Sequence, residues 1–131
     1  MKQKASEFKK VLQADKRKTE RLLSLIKIFY KVPPADEWLG PFSIQNISGD
    51  GLGFVTAKKL EKDSVLLLKL FFPEEHQEPI MITATVCWVM IGQGGYWLGV
   101  KFHKMNYGDR KRYVAYLSEK ILSKIADIKQ K

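Results

Sequence analysis

A long alternation of side chains followed by a glycine-rich turn constrains this chain more than any other feature. From Ile80 to Met90, apolar residues occupy every second position of a run without proline or glycine. One face of such a strand carries Ile80, Ile82, Ala84, Val86, Trp88 and Met90, and the other carries Met81, Thr83, Thr85, Cys87 and Val89. A period of two is typical of a β-strand with one face buried. Gly92-Gln93-Gly94-Gly95 then predicts a hairpin turn, with Tyr96–Phe102 as the returning strand.

Four further strand-like runs precede this hairpin. They are Ser24–Val32, Phe42–Ser48, Leu52–Ala57 and Val65–Phe72. In the first run alternate residues are apolar, which predicts a half-buried strand, although a helix from Lys10 through Ile28 fits the same leucines. Short turns between the runs favour antiparallel neighbours, so the sequence predicts five or six strands that close, or nearly close, into a small barrel.

The period becomes helical from Asp109 onward. An apolar stripe is formed by Val114, Leu117, Ile121, Ile125 and Ile128. We therefore expect a C-terminal helix over residues 109–129 that caps an open end of the barrel. Residues 1–13 contain Phe8, Val11 and Leu12 at helical spacing among lysines, which indicates a basic arm or short helix outside a domain of residues 14–131.

Positive charge is concentrated at the two ends of the 131-residue chain, whose net charge is +9. Residues 1–31 carry ten Lys and Arg against three acids, and residues 103–131 carry eight against three. Residues 32–102 carry five against eight. This distribution favours anionic partners such as nucleotides, nucleic acids or acidic proteins, although solvated basic helices explain it equally well.

The chain lacks the signatures of secreted and membrane proteins. Its one cysteine, Cys87, excludes an internal disulfide and lies in an apolar alternating run, where we expect a buried structural thiol. We expect no signal peptide and no transmembrane insertion, because the N-terminus has no apolar core and the apolar runs have strand length. A cytoplasmic location is the resulting prediction.

Catalytic and metal-binding constellations are not recognisable in the sequence. His76 and His103 are far apart and lack partners at metal-ligand or nucleophile spacing, so we expect no metal site, no cofactor and no enzymatic activity. Among the tryptophans, the alternation assigns Trp88 to the core. Trp97 is expected to face outward, and Trp38 to contact a partner or act as a lid.

Two short motifs carry chemistry suited to a phosphorylated, base-bearing ligand. Arg17 and Arg21 stand four residues apart, and their planar guanidinium groups match phosphate oxygens and the edges and faces of bases. The second motif is Asn46-Ile47-Ser48-Gly49-Asp50-Gly51, a turn between two strand-like runs. Its glycines permit unusual backbone angles and close approach of a ligand.

These motifs resemble those of the PilZ domain family of bacterial cyclic di-GMP receptors. The family pattern R-x-x-x-R matches residues 17–21, and D/N-x-S-x-x-G matches residues 46–51. The order and spacing of the motifs, the hairpin of residues 86–102 and the final helix are also similar to the family. The resemblance extends over roughly residues 16–125 and implies a mainly β fold, a six-stranded antiparallel barrel with a C-terminal helix.

The resemblance also implies a ligand-binding site. Arg17 and Arg21 are expected to hold cyclic di-GMP from a loop before the first long strand, with Asn46 and Ser48 on the barrel wall. Gly51 would allow close approach, since a side chain there would collide with the ligand or the turn. Lys16, directly before the motif, is associated in the family with a stacked pair of ligand molecules.

Alternatives remain for these residues. A helix through Arg17 and Arg21 would keep them on one face but would not fold over the barrel. The arginines then form a solvated charged face, and Asn46 and Ser48 stabilise a turn.

Three functions therefore follow from the sequence. The first is a cyclic di-GMP effector that changes its surface for a protein partner, in motility or biofilm regulation. The second is a nucleotide-free adaptor of PilZ type acting through protein contacts in pilus or flagellar machinery. The third is a small basic barrel that binds RNA or single-stranded DNA, which the acidic strand region disfavours.

Overall fold

The computed structural model describes residues 21–73 and 78–122, and in it six antiparallel strands form a closed barrel. They are β1 (Lys27–Lys31), β2 (Leu39–Ile47), β3 (Gly51–Thr56), β4 (Val65–Phe71), β5 (Ile80–Gly92) and β6 (Gly95–Met105). The hydrogen-bonded order is β1-β2-β3-β6-β5-β4, and the barrel closes because β1 pairs with both β2 and β4. The predicted fold class, a mainly β six-stranded antiparallel barrel with a C-terminal helix, is confirmed.

The chain enters the barrel through a helical turn. Residues 21–24 are helical, and the amides of Leu25 and Ile26 bond to the carbonyls of Leu22 and Leu23 at 3.3 and 3.1 Å. Such i to i−3 bonds are typical of the last turn of a helix. The strand predicted from Ser24 therefore begins only at Lys27, and the competing helix stops before β1. The predicted arm of residues 1–13 lies outside the described residues.

The barrel interior is filled by the alternate side chains of its strands. Ile28 and Tyr30 from β1 are fully buried, and the inner faces of β4 and β5 add Leu66, Leu68, Leu70, Ile80, Ile82, Ala84 and Val86. A polar pair lies within this apolar core, because the hydroxyl groups of Tyr30 and Thr56 are 2.9 Å apart. One hydroxyl donates to the other, and the Thr56 oxygen also accepts from the amide of Lys58 at 3.5 Å, which reduces the penalty for burying the pair.

A β-bulge divides β5 into two parts. Val86 pairs with Val100, but Trp88 pairs with Gly99, so Cys87 is an extra residue in the ladder. Beyond it the faces exchange, which leaves Trp88 40% exposed and Met90 56% exposed. The predictions that Trp88 and Met90 face the core, and that Cys87 is a buried thiol, are therefore wrong. The cysteine is exposed as well.

The C-terminal helix closes one end of the barrel. This helix, α1 (Tyr107–Tyr116), continues into a π-helical turn, Leu117–Leu122. It begins two residues before the predicted start because the side-chain oxygen of Asn106 accepts a hydrogen bond from the amide of Asp109 at 2.7 Å. Residues 123–129 of the predicted helix lie outside the described part of the chain.

The buried face of α1 differs from the predicted stripe. Tyr116 stacks on Phe72 with ring centroids 4.0 Å apart, and Tyr113 is 1% exposed. Val114, predicted to lie in the stripe, is 46% exposed, because two tyrosines rather than Val114 face the barrel end. Leu117 and Ile121 are buried as predicted. None of the helices in residues 21–73 and 78–122 is long and apolar enough to cross a membrane.

The Tyr30 and Thr56 pair provides a test of the core. Tyr30→Phe leaves the Thr56 hydroxyl without its buried partner, which should lower the free energy of unfolding by about 1–2 kcal/mol. Adding Thr56→Val should recover much of this loss, because both polar groups are then absent. A double-mutant cycle measured by urea unfolding checks the coupling, and additive losses would show that the two hydroxyls do not interact.

Candidate functional site

The turn between β2 and β3 is closed by its own serine. The amide of Ser48 donates to the Gly51 carbonyl at 2.9 Å. The Ser48 hydroxyl lies 3.2 Å from the same carbonyl and 3.0 Å from Oδ1 of Asp50. Because a hydroxyl has one proton, it is shared between these acceptors, while its lone pairs are available to an external donor. Ser48 therefore has a turn-stabilising role in the structure, as one of the two sequence-based interpretations predicts.

Asn46 lies at an irregular point of the β2–β3 ladder. The register shifts between Ile44 and Asn46, and Asn46 pairs with Gly53. A Cβ atom on Gly53 would lie 2.8 Å from Oδ1 of Asn46, so the exposed amide rests directly over this glycine. Sequence reasoning did not include Gly53 in the site, although a glycine inside a strand pattern is a signal of close approach.

Gly51 is required by the neighbouring strand. A Cβ atom at this position would collide with the carbonyl oxygen of Val100 on β6. The carbonyl of Asp50 also accepts a hydrogen bond from the amide of Phe102 at 2.8 Å. The turn is thus docked against β6. In the structure a side chain at position 51 would meet the barrel wall, and the predicted collision with a ligand stays a prediction.

The motif turn forms one side of an open groove on the outer wall of the barrel. The groove has a volume of about 260 Å³. It is lined by Asn46, Ser48, Asp50, Gly51, Leu52, Cys87, Trp88, Gly99, Val100 and Lys101. Three of the predicted site residues, Asn46, Ser48 and Gly51, therefore lie together.

Two residues that sequence reasoning missed complete the groove. A Cβ atom on Gly99 would collide with the indole of Trp88, so the glycine makes room for the ring on the outer wall. Lys101 is exposed, pairs with Gly51 across β3 and β6, and adds a positive charge to the groove. The sequence feature that could have indicated an outward-facing Trp88 is Gly99. The two residues can be recognised as neighbours only once the pairing of β5 with β6 is known.

Arg21, the one motif arginine among the described residues, does not line the groove. Arg21 is exposed on the helical turn before β1, where its carbonyl accepts a hydrogen bond from the Ser24 hydroxyl at 2.8 Å. It is not among the residues that line the groove. Arg17 and Lys16 lie outside the described residues.

The helix α1 is tied to the motif turn through Tyr113. Its hydroxyl donates a hydrogen bond to the carbonyl of Ser48, and its ring meets Phe102 edge-on at 5.4 Å. Burial, together with a smaller contribution from the Asp50 carboxylate, raises the pKa of Tyr113 above its ordinary value. The hydroxyl therefore remains a proton donor, and the motif turn and helix are mechanically connected.

The remaining polar groups on the outer wall form no cluster of metal ligands among residues 21–73 and 78–122. Thr85 and the exposed His103 form a hydrogen bond on neighbouring strands. Trp38 is half-buried, with the ammonium groups of Lys31 and Lys69 at 4.8 and 4.2 Å from its ring centroid. These contacts are separate from the groove.

Comparison with known proteins agrees with the fold and the motif geometry. A protein-family model described as the PilZ domain matches residues 15–119, which is most of the chain. The chain belongs to the PilZ domain family. The resemblance predicted from the two motifs is thereby confirmed, and the family is one of cyclic di-GMP receptors. No curated protein matches this PilZ domain.

A solved structure shares the architecture of this PilZ domain. It is the Bacillus subtilis inhibitor of motility, MotI/DgrA, with a TM-score of 0.65 and 19% sequence identity. The alignment covers 78% of this chain and 49% of that chain, so the PilZ domain spans about half the length of the similar protein. At this identity the likeness concerns the fold.

The contact between Tyr113 and Ser48 predicts a pH dependence of stability. A raised pKa means that the unfolded chain, whose tyrosine ionises near pH 10, loses this proton first, so stability is retained below about pH 10 and falls above it. Tyr113→Phe should lower the free energy of unfolding by about 1 kcal/mol at pH 7 and make the alkaline loss shallower by up to about 1.4 kcal/mol per pH unit. Urea unfolding at several pH values tests this, with the exposed Tyr107→Phe as control. Equal alkaline slopes in all three proteins would contradict it.

The close approach of β3 and β6 predicts different tolerances of two glycines in one turn. Gly51→Ala should lower the free energy of unfolding by about 1–3 kcal/mol, because its methyl group would meet the Val100 carbonyl. Gly49→Ala should change it by less than about 0.5 kcal/mol, because no atom lies within 4 Å of the added Cβ position. Thermal melting of both variants checks the difference, and equal losses would contradict the docking of Gly51 on β6.

Proposed function

We propose that this PilZ domain is a cyclic di-GMP-binding effector module that changes its interaction surface when the ligand binds. The observation that carries the proposal is the groove in which Asn46 and Ser48 of the family motif lie beside Trp88 and Lys101. It combines hydrogen-bonding groups, an aromatic ring and a positive charge. A guanine nucleotide requires all three.

The groups in the groove are complementary to a guanylate. Guanine presents an acceptor at O6 beside a donor at N1, and an amide such as that of Asn46 can donate to the first and accept from the second. Stacking of one base on an aromatic side chain contributes about 1–3 kcal/mol, and Trp88 exposes such a surface. Lys101 supplies charge for a phosphate. Asp50 repels phosphate, so we place the base rather than the phosphate beside the turn.

Arg17 and Arg21 complete the proposed site, with Lys16 next to them. Micromolar affinity requires about 8 kcal/mol, and each charged hydrogen bond contributes about 1.5–3 kcal/mol. The groove alone does not reach this sum after the loss of ligand freedom is counted. Charged contacts from the arginines would make up the difference, and their movement toward the ligand would change the surface near β1.

We also propose that this PilZ domain acts in motility, through binding to a protein partner. The similar protein MotI/DgrA is an inhibitor of motility. By analogy, the ligand-bound PilZ domain would act by binding a component of a motility system rather than by catalysis. Contact between Tyr113 and Ser48 offers a route from the groove to α1, because a ligand that moves the turn also displaces the acceptor of the buried hydroxyl.

Isothermal titration with cyclic di-GMP tests the proposed function. The full chain should bind, and Arg21→Ala should abolish or sharply weaken binding with little change in melting temperature, because an exposed arginine contributes little to packing. Ser48→Ala should weaken binding less. Arg110→Ala removes an exposed arginine from α1 and serves as the control.

The outcomes separate the three functions. No heat and no thermal shift at high ligand concentration would exclude the receptor function and leave the nucleotide-free adaptor. Binding of a single-stranded oligonucleotide that weakens steeply with salt would instead favour the nucleic-acid function. A large loss of melting temperature in Arg21→Ala would show that Arg21 is structural.

The single cysteine provides a second measurement of the same site. Cys87 is exposed and lines the groove. Saturating cyclic di-GMP should slow its reaction with iodoacetamide, whereas GTP at equal concentration should not. Equal rates with and without cyclic di-GMP would place the ligand away from the groove.

A further inference from the structure

A second cleft adjoins the motif groove at Cys87 and Trp88. It has a volume of about 470 Å³. It is lined by Lys59, Leu60, Glu61, Lys62, Cys87, Trp88 and Val89. Cys87 and Trp88 line both spaces, so the two spaces meet at these residues.

The lysine-bearing segment is fixed beside Trp88 by backbone hydrogen bonds. The amide of Asp63 donates to the Val86 carbonyl at 2.8 Å, and the amide of Val86 donates to the Ser64 carbonyl at 2.9 Å. Val86 directly precedes the bulge at Cys87. The segment between β3 and β4, residues 57–64, is therefore held next to the bulge. These backbone hydrogen bonds fix the position of the cleft.

The volumes show that the motif groove is small for a dinucleotide. Sites for drug-sized ligands commonly have volumes of about 300–1,000 Å³. The motif groove, at about 260 Å³, lies below this range, whereas the adjoining cleft, at about 470 Å³, lies within it. A ligand with two guanylate halves needs space for two bases and two phosphates, which the two adjoining spaces provide together.

The charges of the second cleft favour an anion. Lys59 and Lys62 bring two ammonium groups, and both are exposed. The carboxylate of Glu61 also lines the cleft and opposes an anion. The net charge of these three side chains remains positive. Removing a lysine should therefore weaken the binding of an anion, and removing the glutamate charge should strengthen it.

We propose that this second cleft binds an anionic guanylate half, held between the indole of Trp88 and the ammonium groups of Lys59 and Lys62. The inference rests on the proposed function, because the guanylate belongs to cyclic di-GMP. This guanylate is either the second half of the cyclic di-GMP molecule whose first half occupies the motif groove, or part of a second cyclic di-GMP molecule. The ligand-binding surface therefore extends from the family motif to the β3–β4 segment.

Titration of the full chain with cyclic di-GMP at low ionic strength tests the inference. Lys59→Ala/Lys62→Ala should weaken binding about tenfold, which corresponds to two exposed charged contacts. Glu61→Gln should strengthen it about twofold, because a repelling carboxylate is removed. Lys58→Ala/Lys104→Ala removes the same charge from positions that line neither space and should change binding by less than about twofold.

The stoichiometry identifies the source of the guanylate. One ligand per chain, bound about tenfold more weakly by the Lys59→Ala/Lys62→Ala variant, shows that a single molecule spans both spaces. Two ligands, falling to one in that variant, show a second molecule. Melting curves confirm that the variants fold. If the Lys59→Ala/Lys62→Ala and Glu61→Gln variants both bind cyclic di-GMP as the wild type does, the second cleft is not part of the binding site. The receptor function would then remain intact. Absence of binding by the wild type would overturn the proposed function itself.

Discussion

The β-bulge at Cys87 is the constraint on which the outer surface of this PilZ domain depends. A regular β5 would place Trp88 inside the barrel, away from the groove beside the motif turn. The extra residue reverses the faces, and Gly99 provides the space that the displaced indole needs. The same bulge lies next to the backbone bonds that hold the β3–β4 segment at Val86. One local irregularity thus creates the stacking surface and positions the charged segment beside it.

The motif turn is held from three sides, and none of these contacts uses a ligand. Its own serine closes it, β6 approaches it so closely that position 51 excludes a side chain, and Tyr113 binds its carbonyl from below. A turn fixed in this way loses little freedom on binding, which favours affinity. It also means that the hydroxyl of Ser48 is engaged before any ligand arrives. In the proposed site, Ser48 would therefore contribute mainly by shaping the turn and by accepting hydrogen bonds.

Local patterns predicted much of the barrel because β1, β4 and the part of β5 before the bulge follow a period of two. Ile28, Tyr30, Ile80, Ile82 and Val86 are buried as the alternation predicts. The alternation fails after Val86, since a bulge depends on what the partner strand offers, and Gly99 lies in a different strand. Periodicity within one segment contains no information about such a pairing.

The candidate site was predicted only in part for a related reason. Asn46, Ser48 and Gly51 are adjacent in sequence, so their motif could be read directly, and the structure brings them together. Trp88, Lys101 and the lysines of the second cleft come from other strands and a loop, and only the strand order places them near the motif. Tyr113 was missed because the helical stripe suggested aliphatic contacts, whereas the barrel end accommodates aromatic rings.

The anchoring of the first turn limits how Arg21 can reach a ligand. Leu23 is 3% exposed and Ile26 is fully buried, so opening the turn of residues 21–24 would expose an apolar side chain at a cost of about 1.5–3 kcal/mol. That cost is comparable to the gain from one charged hydrogen bond. Fixing the rotamers of an exposed arginine costs about 2 kcal/mol at most, and the side chain can form several such bonds at once. In the proposed function, rotation of the Arg21 side chain about an intact turn, rather than unfolding of the turn, would bring the guanidinium group to the ligand.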